Sequence, residues 1–197
     1  MAGEDIRPGW EMLRFHPVGL DVLGRTAWRR ATFHYGIVFS QRPVRLGERV
    51  ALRVLRTKSG WCVGGLRVGF TRLDPERWPA PRLPPFVCPD LEAQSPTWAA
   101  MLPEGCMLSG DVVCFWVDHR GQLFAEVNAG PPLLLRGGVR MGDPLWAVMD
   151  VYGTTKAIQL LGEARRGIPR PSCSPPPSPG SSEMMWWLSL EVSDFPV

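Results

Sequence analysis

Apolar and polar residues alternate in short runs along most of this chain. In GERVALRV, Val50, Leu52 and Val54 fall on one side, with Arg49 and Arg53 on the other. In GGLRVGFT, Leu66, Val68 and Phe70 lie opposite Arg67 and Thr71. Successive side chains of a strand point to opposite faces, so a period of two predicts half-buried strands. DVVCFWVD, Asp111–Asp118, is apolar on both faces and predicts a central strand covered on both sides. Asp118–Gly121, DHRG, has the composition of a hairpin turn, with QLFAEVN as the returning partner. PLWAVMDVYG and TKAIQLL predict two further strands, and HYGIVFSQRPVRLGERVALRV, His34–Val54, reads as strand, turn and strand. Such short strands without helical periods predict an all-β chain, a two-sheet antiparallel β-sandwich. Its inward set is expected to be Val50, Leu52, Leu66, Val68, Phe70, Phe115, Trp116, Trp146 and Val148.

Two stretches break the pattern. From Leu73 to Met101 the chain is polar and Pro-rich, with WPAPRLPPF inside it. It is expected to run as a long surface loop, with a helical turn near Thr97–Met101. Beyond Leu161, GEARRGIPRPSCSPPPSPGSSE has too little apolar surface to pack and predicts a disordered Pro/Ser-rich tail. The tail ends in an apolar segment, MMWWLSLEVSDFPV. The expected organisation is a flexible leader over 1–10, a sandwich over 11–161 and the tail over 162–197.

Composition agrees. The 197 residues are 45% hydrophobic, enough for one core, and Gly and Pro number 21 each, which disfavours long helices. The net charge is +3, but residues 1–60 hold eleven basic against five acidic side chains. A basic first third suits an acidic peptide or an anionic membrane surface. The arginines alternate with apolar residues, so the plainer reading is that they are the solvent-facing side of strands. The small net charge and lack of a nucleic-acid signature argue against nucleic acid as a partner.

No residue is assigned a catalytic role. The three histidines, His16, His34 and His119, are scattered, and no nucleophile elbow, HExxH or phosphate loop occurs. Cys114 falls within an apolar strand and reads as core. Five cysteines without a CxxC pair predict neither a disulfide framework nor a zinc site. MAGEDIRPGW lacks the apolar core of a signal peptide, and no apolar run is long enough to span a bilayer, so a cytoplasmic location is expected. What remains is binding. Loops at the ends of a sandwich carry recognition, and aromatics and arginine are favoured anchors. The candidates are Tyr35, Arg42, Trp61, Arg72 and Tyr152.

Several blocks occur together in order: FHP, then GIVFSQRPVRLGERVALRV, then W-x-x-GGLRVGFT-x-x-DP, LPPF-x-CPDL with a following tryptophan, and PLWAVMDVYG. From about Leu13 to Leu161 they resemble the neuralized homology repeat of the neuralized-like E3 ubiquitin ligases. The resemblance implies a SPRY-like sandwich that binds protein substrates through short peptide segments and selects them for ubiquitination. In that family an E2 enzyme is recruited by a separate zinc-bound RING finger. Beyond Leu161 stand one cysteine, Cys173, and no histidine. The expectation is therefore a substrate-recognition module without its own RING or cofactor, meeting an E2 only where a RING is supplied elsewhere. The alternatives are a non-catalytic competitor of the ligase and a peripheral membrane or phosphoinositide-binding adaptor.

Overall fold

The structure is a computed structural model that describes residues 12–13, 18–30, 34–57, 65–77, 83–103 and 108–163. Trp61, the leader 1–10 and most of the tail lie outside the described residues. The strands are β1 (Met12–Leu13), β2 (Val18–Leu20), β3 (Thr26–Arg29), β4 (Ile37–Ser40), β5 (Val50–Thr57) and β6 (Leu66–Thr71). They continue with β7 (Thr97–Met101), β8 (Val112–Val117), β9 (Leu123–Val127), β10 (Leu133–Arg136), β11 (Trp146–Val151) and β12 (Thr155–Glu163). They form two sheets with all pairings antiparallel: a five-stranded one in the order β1-β4-β11-β6-β7, and a seven-stranded one in the order β10-β9-β8-β5-β12-β3-β2.

The predicted alternation in β5 and β6 is realised. Val50, Leu52, Val54, Leu66, Val68 and Phe70 are all fully buried in the core between the sheets. Phe70 of one sheet meets Phe115 of the other, ring centroids 5.5 Å apart at 50°. Such tilted pairs add to the stabilisation from area burial. Gly69 marks a close approach: a Cβ there would lie 2.1 Å from the Trp98 carbonyl oxygen on β7, so only glycine fits. The DHRG turn forms as predicted. Asp118 Oδ1 accepts hydrogen bonds from the amides of Arg120 at 2.8 Å and Gln122 at 2.9 Å, and Gly121 takes a φ of 72°.

Three expectations are corrected. The stretch His34–Val54 is strand, turn and strand as expected, but its strands do not pair as a first hairpin would, because β4 pairs with β1 and β11 while β5 pairs with β8 and β12 in the other sheet. Period two identifies strands but says nothing of which strands pair. Secondly, the inward set was too generous. Trp116 follows the fully buried Phe115 and must face the other way; it stacks on Phe124 at 5.7 Å under the Arg49 guanidinium. The second cover of β8 is thus a layer of side chains. Trp146 and Val148 alternate with the core residues Ala147 and Met149, which turns them to the outer face of the five-stranded sheet.

Thirdly, Leu73–Met101 is not merely a surface loop. Thr97–Met101 is a strand, β7, paired along β6. The helical turns stand earlier, at Val87–Leu91 and Glu92–Gln94. Leu83, Val87 and Leu91 are buried against Ile37, Phe39, Ala99 and Val148, forming a second, smaller core on the outer face of the five-stranded sheet. This third layer explains why all four residues of β4 are buried. The TWAAM sequence carries small residues where a strand normally shows large ones, so its period was invisible.

Leu91 is fully buried, whereas Leu134 is 56% exposed. Leu91→Ala should cost roughly 2–5 kcal/mol in urea unfolding, and Leu134→Ala less than about 0.5 kcal/mol. A neutral Leu91→Ala would mean that the segment is no structural layer.

Candidate binding surface

Four of the five candidate residues are described, and they divide between opposite ends of one sheet. Tyr35 precedes β4 and Tyr152 follows β11; because these strands are antiparallel, both sit at the same end. Arg42 follows β4 and Arg72 follows β6, which places them at the other end. Tyr35 and Arg42 were expected together beside a first hairpin, but β4 runs between them and separates them.

At the tyrosine end the backbone is strongly specified. The Tyr35 amide donates to the Pro85 carbonyl at 2.9 Å, and Tyr35 takes a φ of 59°, a left-handed conformation uncommon for a non-glycine residue. The Val151 and Tyr152 amides donate to the carbonyls of Gly36 at 2.9 Å and Gly65 at 3.0 Å. The side chains then form one cluster. His34 lies 4.6 Å from the Tyr35 ring and 6.1 Å from Phe86, and Phe86 meets Tyr152 edge-on at 5.7 Å and 79°. The Arg67 guanidinium sits 3.9 Å over the Tyr152 ring and 5.5 Å from that of Phe86. His34, Tyr35, Phe86 and Tyr152 are each half-buried, so the cluster forms a rim that stays partly open to solvent.

A buried carboxylate underlies the rim. Asp150 is fully buried on β11; its Oδ2 accepts from Arg67 Nη1 at 3.1 Å and from the Val87 amide at 3.2 Å. Burial pushes its carboxyl above the ordinary value, against the opposing pull of the Val87 amide and the Arg67 and Arg29 charges. Arg29, itself 5% exposed, donates through Nη2 to the Gly153 carbonyl at 2.6 Å and that of Thr155 at 3.1 Å. Arg67 and Arg29 thus both act on the one buried carboxylate, beside aromatic surface. Phe86, Arg67, Asp150 and His34 were missed as site residues. The only sequence signal was Asp150, an acidic residue inside the otherwise apolar WAVMDV.

At the other end the arginines are engaged within the fold. Arg42 grips Glu48 with two bonds, Nη2 to Oε1 at 2.6 Å and Nη1 to Oε2 at 3.1 Å. Arg72 donates to the Met141 carbonyl at 3.0 Å and pairs with Asp143 at 2.9 Å. Burial alone would raise the Glu48 carboxyl, but the Arg42 guanidinium, the Arg45 amide and both arginine charges together hold it below its ordinary 4.5. The two described thiols, Cys88 and Cys114, are poor nucleophiles. Burial and the neighbouring Glu92 push Cys88 up to about 12, and burial with Glu126 pushes Cys114 up to about 11. Among the described residues no three His, Cys, Asp or Glu side chains converge as a metal site would require, and no helix is long and apolar enough to cross a membrane.

The sandwich and the blocks that build it have counterparts in known proteins. The family model described as Neuralized matches residues 16–162. The chain belongs to the neuralized family. It is 70% identical over 167 residues to the human E3 ubiquitin-protein ligase NEURL3, covering 82% of this chain and 63% of that protein. It therefore spans somewhat less than two thirds of that relative's length. Among solved structures, the neuralized-NHR1 domain of Drosophila melanogaster superposes with a TM-score of 0.69 at 29% identity, covering 79% of this chain and 99% of that one. The TRIM65 PSpry domain, at a TM-score of 0.51 and 13% identity over 81% of this chain and 98% of its own, shares the SPRY-like fold alone.

If Arg42 is structural, Arg42→Ala should lower stability by roughly 1–3 kcal/mol at neutral pH. A depressed carboxyl contributes stability above its unfolded value of 4.5 that is lost as pH falls through the folded value. The gap between wild type and Arg42→Ala should thus be wide at pH 7 and narrow below pH 4.5. Thermal unfolding across pH measures it; a constant gap would separate Arg42 from Glu48.

Proposed function

We propose that this chain is the substrate-recognition module of a neuralized-like ubiquitin ligase, and that it binds a short segment of its target at the rim formed by Tyr35, Phe86, Tyr152 and Arg67. Membership of the neuralized family and similarity to NEURL3 support a protein-binding role in ubiquitination. The single observation that carries the site is the convergence of half-buried aromatic rings around Arg67, which is itself held by the buried Asp150. Rings whose faces are fixed lose little entropy on binding, and an oriented guanidinium supplies direction to the contact. Ubiquitin transfer to the target belongs to a RING and its E2, whether on a longer form of the chain or on a partner. The module contributes selection.

The test compares wild type, Tyr152→Ala, Phe86→Ala and Arg42→Ala as bait in quantitative affinity capture, followed by titration with the purified partner. The two rim variants should weaken binding by about tenfold or more. Arg42→Ala, if it is folded, should leave the affinity within about twofold, a change of roughly 0.4 kcal/mol. Joined to an active RING, the wild-type module should direct ubiquitin to the same partner, and the rim variants should not. Partner affinity unchanged by both rim substitutions would remove the site.

A further inference from the structure

A groove of about 430 Å³ lies where β7 begins, lined by residues 92–98 and by Arg140. β7 is an edge strand, and its Thr97 pairs with Thr71 at the end of β6 that lies away from the aromatic rim. Arg72 braces the groove. Its amide donates to the Pro96 carbonyl at 2.9 Å and its Nη2 to the Met141 carbonyl at 3.0 Å. One residue thus ties the segment that enters β7 to the loop that carries Arg140. Small-ligand clefts of such volume are enclosed and mostly apolar. This groove is open and largely polar, the form that suits a chain lying across it.

Hydrogen bonding within the groove separates the groups already held by the fold from those that are not. Ser95 Oγ donates to the Leu91 carbonyl at 3.1 Å and lies 2.8 Å from Thr97 Oγ1, which in turn lies 2.8 Å from Thr71 Oγ1. The Glu92 carboxylate is paired with Arg136 and accepts from the Ala99 amide at 3.1 Å. Arg72 is balanced by Asp143 at 2.9 Å. Arg140 is different. It is exposed and forms no ion pair among the described residues. Of the two charged residues in the lining, Glu92 is paired and Arg140 is not. The half-buried indole of Trp98 completes what the groove can offer to another molecule.

We propose that this groove binds an extended acidic segment of a protein partner, with a carboxylate on Arg140 and a neighbouring apolar side chain against Trp98. Charge selects the occupant. A guanidinium that holds nothing else takes a carboxylate through two parallel hydrogen bonds and repels a basic chain. The indole beside it adds apolar contact area from a side chain already fixed by the core. The site stands without the peptide-binding reading of the rim, because it lies at the other end of the same sheet. It gives the module a second point of contact.

Selection from a random-peptide phage library, run in parallel on the intact chain and on its Arg140→Glu variant, tests the site. Circular dichroism checks that the variant keeps the sandwich. Peptides enriched on wild type alone should carry Asp or Glu beside an apolar residue. A synthetic peptide of that set should shift the amide resonances of Gln94, Thr97 and Trp98. Its affinity should fall at least about tenfold in Arg140→Glu, fall likewise when its own Asp or Glu is replaced by Asn or Gln, and weaken in high salt. Tyr152→Ala should leave it within about twofold. No enrichment on wild type, the same peptides from both selections, or an affinity indifferent to Arg140→Glu overturns the proposal. So does binding lost in Tyr152→Ala but kept in Arg140→Glu, which would assign the peptide to the rim.

Discussion

The carboxylate of Asp150 joins the parts of this protein that matter for its surface. It lies on β11, whose other face supplies Ala147, Met149 and Val151 to the central core. Through one oxygen it holds the Val87 amide of the covering segment and the Arg67 guanidinium of the rim. A fully buried carboxylate is costly unless hydrogen-bonded and paired, so its partners are strongly constrained in position. That constraint sets where the cover begins and where Arg67 stands. Arg67 in turn fixes the face of Tyr152, against which Phe86 packs edge-on. The rim is thus an extension of the buried interior and not a set of loops that happen to meet.

The same economy distinguishes the two ends of the five-stranded sheet. At one end polar and aromatic groups are ordered from beneath and left partly exposed. At the other, Arg42 and Arg72 reach back to Glu48, Met141 and Asp143 and complete the fold. An arginine that already holds a bidentate carboxylate must give up that pairing to bind anything else, which weakens it as an anchor. Exposed position in a loop is therefore a poor guide to availability. What a guanidinium already holds is the better one.

The outer faces obey a related logic. A sheet with apolar residues on both sides needs a cover on both sides. The five-stranded sheet obtains one from a segment that looked like a surface loop, and the seven-stranded sheet covers Cys114 and Trp116 with Arg49, Glu126 and Phe124 from its own strands. Trp28, Leu55 and Leu161 lie beyond that side-chain layer and stay partly exposed.

By itself the sequence determined what depends on neighbours along the chain. Period two placed β5 and β6, apolar runs placed β8, β11 and β12, Asp118–Gly121 placed a hairpin with β9 as its return, and ordered blocks identified the neuralized-type sandwich, because strand alternation, turn chemistry and motif spacing are local or linear properties. It could not determine which strand lies beside which. That choice sent β4 and β5 to different sheets and turned Trp116 outward. It also made TWAAM an edge strand and brought Phe86, from a Pro-rich stretch, against Tyr152, far along the chain. Pairing and cover are decided by which apolar faces must leave water together, and only the folded chain records that.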